Sequence, residues 1–90
     1  MVLKSSQGDL DLTKLTRLYP AGVVDMQGEV AEMSLEWVEL YGDKVKILYY
    51  VLVFDFTPIG EEKKTRTVFR FDTKEALITY MAKEVAPLFP

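Results

Sequence analysis

Cysteine and histidine are both absent from the 90 residues. Without cysteine there is no disulfide framework and no thiol chemistry. Without histidine the commonest general base and metal ligand is missing. Long hydrophobic runs are lacking too. The longest lies inside Val45–Phe56 and falls well short of the roughly 20 residues a membrane-spanning helix needs. Glycine is scarce, and its five copies are scattered at turn positions, so there is no Gly-rich phosphate loop. Met1-Val2-Leu3-Lys4 runs straight into a polar stretch, which is not the start of a signal peptide. A cytosolic address is the expectation. A surplus of positive charge is also lacking. Eleven basic residues face 14 acidic ones, for a net charge of −3, whereas general nucleic-acid binders carry a basic balance.

What is present is hydrophobic residue, 49% of the chain, enough for one domain. A chain this short buries only about 60–65% of its unfolded surface, so cover from a partner would help it. The expected organisation is a flexible arm over residues 1–8 and a single domain over 9–90.

Val45–Phe56 (VKILYYVLVFDF) is built of β-branched and aromatic residues and is read as a strand. Both of its alternating faces are apolar in the middle, which marks a central strand covered on both sides. Upstream, Gly42-Asp43 reads as a two-residue hairpin loop, with Glu29–Tyr41 as the partner strand. Tyr41 then faces Lys44, and Trp37, Leu35 and Met33 lie opposite Leu48, Tyr50 and Leu52. Downstream, Thr57–Lys63 reads as a loop. Lys64–Phe71 returns antiparallel, with Asp55 opposite Arg66, Leu52 opposite Phe69 and Tyr50 opposite Phe71. Two sheet faces follow. Face one carries the core: Met33, Leu35, Trp37, Leu48, Tyr50, Leu52, Phe54, Phe69 and Phe71. Face two carries an apolar middle of Ile47, Tyr49, Val51 and Val53, joined by Val38 and Val68. Glu32 and Glu36 flank it on one side, Arg66 and Arg70 on the other.

Asp9–Tyr19 is expected to form a short helix that Pro20 ends. A short first strand follows over Ala21–Met26, with a turn at Gln27-Gly28. Asp72-Thr73-Lys74-Glu75 reads as a capping-box variant with Asp72 as cap. It opens a helix to about Ala86 that lies on face one. The predicted fold class is therefore α+β: a four-stranded antiparallel meander with a short N-terminal and a C-terminal helix on one face, in the order α-β-β-β-β-α. A helix, long strands and a final helix make a layout similar to the double-stranded-RNA-binding one. The basic start to the last helix is replaced here by Asp72-Thr73-Lys74-Glu75, and no family is assigned.

No catalytic, cofactor or metal site is expected. Ser5, Ser6 and Ser34 lack a base and an elbow context. Asp9/Asp11 and Glu61/Glu62 are spaced like surface charges. Glu32 and Glu36, on one strand face, would lie about 13 Å apart, too far for a catalytic pair. The remaining signal is face two. Left bare, its valines would form a patch larger than a monomer usually exposes. A second copy packed sheet to sheet about a two-fold axis would cover it and bring Glu32 and Glu36 to Arg66 and Arg70. The expected function is that of a small non-catalytic adaptor, regulatory or chaperone-like protein acting as a homodimer. The alternatives are a single-stranded nucleic-acid binder using Tyr49, Lys46, Arg66 and Arg70, and a binder of small apolar ligands. Pairing of edge strands is disfavoured by the basic residues of Lys63–Arg70.

Overall fold

The computed structural model describes residues 1–89. The fold is α+β, with a four-stranded antiparallel sheet, a separate two-stranded hairpin and two helices. The strands are β1 (Val2–Ser5), β2 (Gly8–Asp11), β3 (Arg17–Met26), β4 (Glu29–Met33), β5 (Lys46–Asp55) and β6 (Arg66–Phe71). The helices are α1 (Leu35–Tyr41) and α2 (Lys74–Tyr80), and α2 continues through a π-helical turn over Met81–Val85. The large sheet runs β4-β3-β5-β6.

β5 is the central strand that its composition predicts, and its pairing with β6 follows the predicted register at every position named above. The turn at Gln27-Gly28 also forms. Both residues take positive φ, 54° and 93°, the geometry a two-residue primed turn needs, and the Asp25 carboxylate accepts from the Gly28 N–H at 2.8 Å.

Three expectations are corrected. Residues 1–8 are not a loose arm. They form β1 and the turn of the β1–β2 hairpin, which buries Leu3 to 3% exposure in the main core. Asp9–Tyr19 is not a helix. It supplies β2, one 3-10 turn capped by Asp11, and the start of β3. Pro20 is tolerated inside β3 because it lies beyond the last β3–β4 pair, Gly22 with Met33, and so has a strand on one side only.

The third correction concerns Glu29–Tyr41. The strand stops at Met33, and Ser34 caps a helix by accepting from the Trp37 N–H at 3.1 Å. Gly42-Asp43 lies in a 3-10 turn, not a hairpin. β5 therefore pairs with β3 instead of with residues 32–41, and β4 is displaced to the sheet edge. α1 lies on face one, with Leu35 in the main core and Val38 against Gly22 and Tyr50. A Cβ at Gly22 would stand 2.7 Å from Val38 Cγ2, so the absent side chain is what lets α1 approach β3.

α2 covers the rest of face one through Leu77 and Val85, against Leu52, Phe54 and Phe69. Its cap is Thr73, one residue after the predicted Asp72. The Thr73 hydroxyl accepts from the Ala76 N–H at 3.1 Å. An ion pair from Lys74 to Glu39 ties the start of α2 to α1. Among the described residues no helix is long and apolar enough to cross a membrane.

Candidate functional site: a tyrosine–arginine layer on the second sheet face

Face two carries no helix. Its floor is Ala21, Val23, Val51 and Val53, all at 4% exposure or less. These residues are not bare, because Tyr19 and Tyr49 lie over them, and arginines lie over the tyrosines. Arg70 stacks on the Tyr49 ring at 3.9 Å. Arg17 and Arg66 approach the Tyr19 ring at 4.7 and 5.9 Å. Each such contact contributes about 0.5–1 kcal/mol at an exposed site. The geometry follows from cross-strand pairing. Tyr19 pairs with Val53 and Val53 with Val68, while Ala21 pairs with Val51 and Val51 with Arg70. Directly opposed residues share a face.

One cluster closes this layer across the full width of the sheet. Arg66, on the β6 edge, donates from Nη2 to the Tyr19 hydroxyl at 2.6 Å and to Glu32 on the β4 edge at 3.1 and 3.3 Å. The Tyr19 hydroxyl donates in turn to Glu32 at 3.3 Å. Burial, then the charge of Glu32, pushes the Tyr19 phenol above its ordinary value. Burial opposes the Arg66 charge, but its hydrogen bond and attraction to Glu32 prevail and hold the guanidinium above its ordinary value. The phenol thus stays protonated and the guanidinium charged. The cluster offers donors, acceptors and flat polarisable surface.

Beside it, Asp55 is 7% exposed. Its carboxyl is held below the ordinary value by the Thr57 hydroxyl and then by the Thr57 N–H, at 2.9 Å. The Thr57 oxygen also accepts from the Thr65 N–H at 2.8 Å. These bonds fasten the base of the β5–β6 loop.

Of the residues expected on face two, Tyr49, Val51, Val53, Val68, Glu32, Arg66 and Arg70 are there. Val38, Ile47 and Glu36 are not. Val38 belongs to α1, beneath face one. Glu36 is exposed in the first turn of that helix. Ile47 is turned to the helix side by a β-bulge. Val23 pairs with Tyr49 but Val24 with Ile47, so Leu48 is the extra residue and the alternation inverts below it. Ile47 Cδ1 accordingly crowds Gly42, beside Val38. The face also contains Arg17 and Tyr19, which a helical reading of residues 9–19 conceals, and Ala21 and Val23 of the expected first strand, which pairs with β5 and not only with β4. The alternation of Tyr19, Ala21 and Val23 against Leu18, Pro20 and Gly22 was the available signal.

Several shallow clefts lie elsewhere, two of them against the main core. One, of about 410 Å³, runs beside β6 between Phe69–Phe71 and the tip of the β1–β2 hairpin. The other, of about 380 Å³, is lined by Pro20, Leu35, Ile78, Met81 and neighbouring alanines. Among the described residues no three carboxylates gather as a metal site would require. Comparison with protein-family models, with curated proteins and with solved structures gives no match.

Proposed function

We propose that this chain is a small non-catalytic interaction protein of adaptor or regulatory type, and that face two is the surface that meets its partner protein. The observation carrying this reading is the tyrosine–arginine layer. Tyr and Arg are the residues that dominate protein interfaces energetically, particularly when held rigid around a buried centre. Here Tyr19 and Tyr49 are pre-positioned by stacked guanidiniums, and the Glu32–Arg66 pair spans the face. Binding therefore orders little that is not already ordered.

The face-to-face homodimer inferred from bare valines loses its two supports. Val51 and Val53 are covered by their own chain, and Glu32 and Arg66 already satisfy each other. A self-copy is thus one candidate partner among proteins and not a requirement. The cytosolic address belongs to the same proposal.

The test uses the missing cysteine. In Val68→Cys a single thiol on face two carries a photo-crosslinker. Thr79→Cys, on the exposed side of α2, is the control. The expected result is a discrete protein adduct from position 68 that disappears when Tyr49→Ala is added, and none from position 79. Crosslinks to single-stranded nucleic acid, with salt-sensitive binding lost in Tyr49→Ala, would overturn the protein-binding reading in favour of a nucleic-acid module.

A further inference from the structure

The sheet ends at β4 on one side and at β6 on the other, where the tip of the β1–β2 hairpin touches β6 through Gln7, and the two edges complement each other. Their hydrogen-bonding phase follows from the fold. The Phe56 N–H donates to the Thr65 carbonyl at 2.8 Å next to the Asp55/Arg66 pair. Arg66, Val68 and Arg70 therefore direct their backbone N–H and C=O away from β5, because bonded and non-bonded pairs alternate along an antiparallel ladder. On the far edge, Met26 and Glu29 close a two-residue hairpin and form its bonded pair. Val30 and Glu32 therefore direct their backbone groups outward.

The side chains at these outward positions are all on face two. On β6 they read Arg66, Val68, Arg70, and on β4 they read Val30, Glu32. Val30 is 62% exposed and Val68 38%. β4 is antiparallel to β6 within the sheet, so a second copy continuing the sheet in the same orientation presents β4 antiparallel to the first copy's β6. Outward groups match in registers two residues apart, and the one that sets Val30 of one copy opposite Val68 of the other also sets Glu32 opposite Arg66. Valine covers valine, and Glu32 and Arg66, which pair with each other within each copy, can exchange partners across the seam without bringing like charges together. Two copies related by a two-fold axis at β6 would instead set Arg66 against Arg70, and like charges directly opposed destabilise a pair. The charge that guards each edge against its own kind suits it to the other edge.

We infer that copies of this chain associate head to tail, β6 of one beside β4 of the next, extending the sheet and joining their face-two layers into one continuous surface. The interface is heterologous, so growth does not stop at two copies. Gln7 restrains it. Its side-chain amide donates to the Val68 carbonyl at 3.4 Å, in the place the incoming Val30 N–H would take. This association covers Val68 and Val30 at the rims of face two and leaves Tyr19 and Tyr49 at its centre uncovered; it does not depend on the function proposed above, and an adduct from position 68 that persists in Val30→Pro is not due to it.

Proline at either outward position removes an N–H that the internal ladder does not use. Light scattering over a concentration series, with far-UV circular dichroism to check folding, reads the outcome. The wild-type mass should rise with concentration past two chains. Gln7→Ala should shift that rise to roughly fivefold lower concentration, the worth of one hydrogen bond. Val30→Pro and Val68→Pro should each remain single chains. Mixed in equal amounts, they should form a two-chain species and stop there, because one intact β6 meets one intact β4. If Val30→Pro fails to fold, Val30→Arg, which sets a third cation between Arg66 and Arg70, takes its place with the same expected result. Self-association that persists in either variant alone would overturn the inference. So would a wild type and a Gln7→Ala variant that both stay single at every soluble concentration, and the edges would then be left to strands of other proteins.

Discussion

Gly22→Ala is expected to destabilise the protein by about 1–2 kcal/mol, although it adds only one methyl group. The new Cβ would stand 2.7 Å from Val38 Cγ2, where ordinary contact begins at 3.4 Å. The Val38 methyl must therefore retreat by roughly 0.7 Å. It has little freedom to do so. Val38 is β-branched, held in α1 and only 7% exposed, and helical valine has one strongly preferred rotamer. Overpacking of this kind costs about 1–3 kcal/mol. The loss of glycine's freedom in the unfolded chain returns about 0.4–1 kcal/mol. An unfolding entropy of about 2.1 cal/mol/K per residue turns the net into a fall in Tm of roughly 5–10 °C for a chain of this size. Urea melts of Gly22→Ala, Val38→Ala and the double variant measure it. The two substitutions should be non-additive, because the alanine Cβ fills the space that Val38→Ala vacates. A Gly22→Ala variant as stable as wild type, or strict additivity, would refute the contact between α1 and β3.

Other expectations follow from single residues. Ser34→Ala removes the α1 cap and should cost about 1 kcal/mol, read by urea melts, while Ser34→Asp should retain most of it. Phe54 is fully buried and packs against the tilted Phe69 ring at 5.1 Å between centroids. Phe54→Ala should cost about 3–5 kcal/mol, a large part of the roughly 5–15 kcal/mol a domain has, and one-dimensional NMR should show lost dispersion. Asp55 has a folded pKa below its ordinary value of 3.8. Its contribution is therefore complete above that value and is lost as pH falls through the folded one. Melting temperatures between pH 6 and pH 2 should fall more steeply in wild type than in Thr57→Val, which lacks the side-chain partner. Equal slopes would contradict the Asp55–Thr57 bond.

The parts of the fold that were legible from residues alone are those whose pattern has one physical solution. β5 is too rich in β-branched and aromatic residues for anything but a strand. Its register with β6 was legible in its parity, because a one-residue slip moves Arg66 and Arg70 into the Phe54 core. The parts that were not legible are short. Leu35–Tyr41 spans two helical turns, and over seven residues Leu35 and Trp37 fit a strand as well as Leu35 and Val38 fit a helix. The Ser34 cap decides between them, and it does so through a backbone angle that composition does not display. Pro20 suits the end of a helix, and it equally suits a strand position with an open side. Misplacing those two segments conceals the first half of β3, and with it Tyr19 and Arg17, and hides the pairing of β3 with β5. The inversion at Ile47 depends on a bulge, which arises only once β3 and β5 are paired. Seven of the ten residues expected on face two lie there because they belong to β5, β6 and the correctly read part of β4.

The most direct test of face two as the working surface is the crosslinking comparison between positions 68 and 79. The account predicts a discrete protein adduct at Val68→Cys, abolished by Tyr49→Ala, and none at Thr79→Cys. Equal labelling at the two positions, or a face-two adduct indifferent to Tyr49, would contradict it.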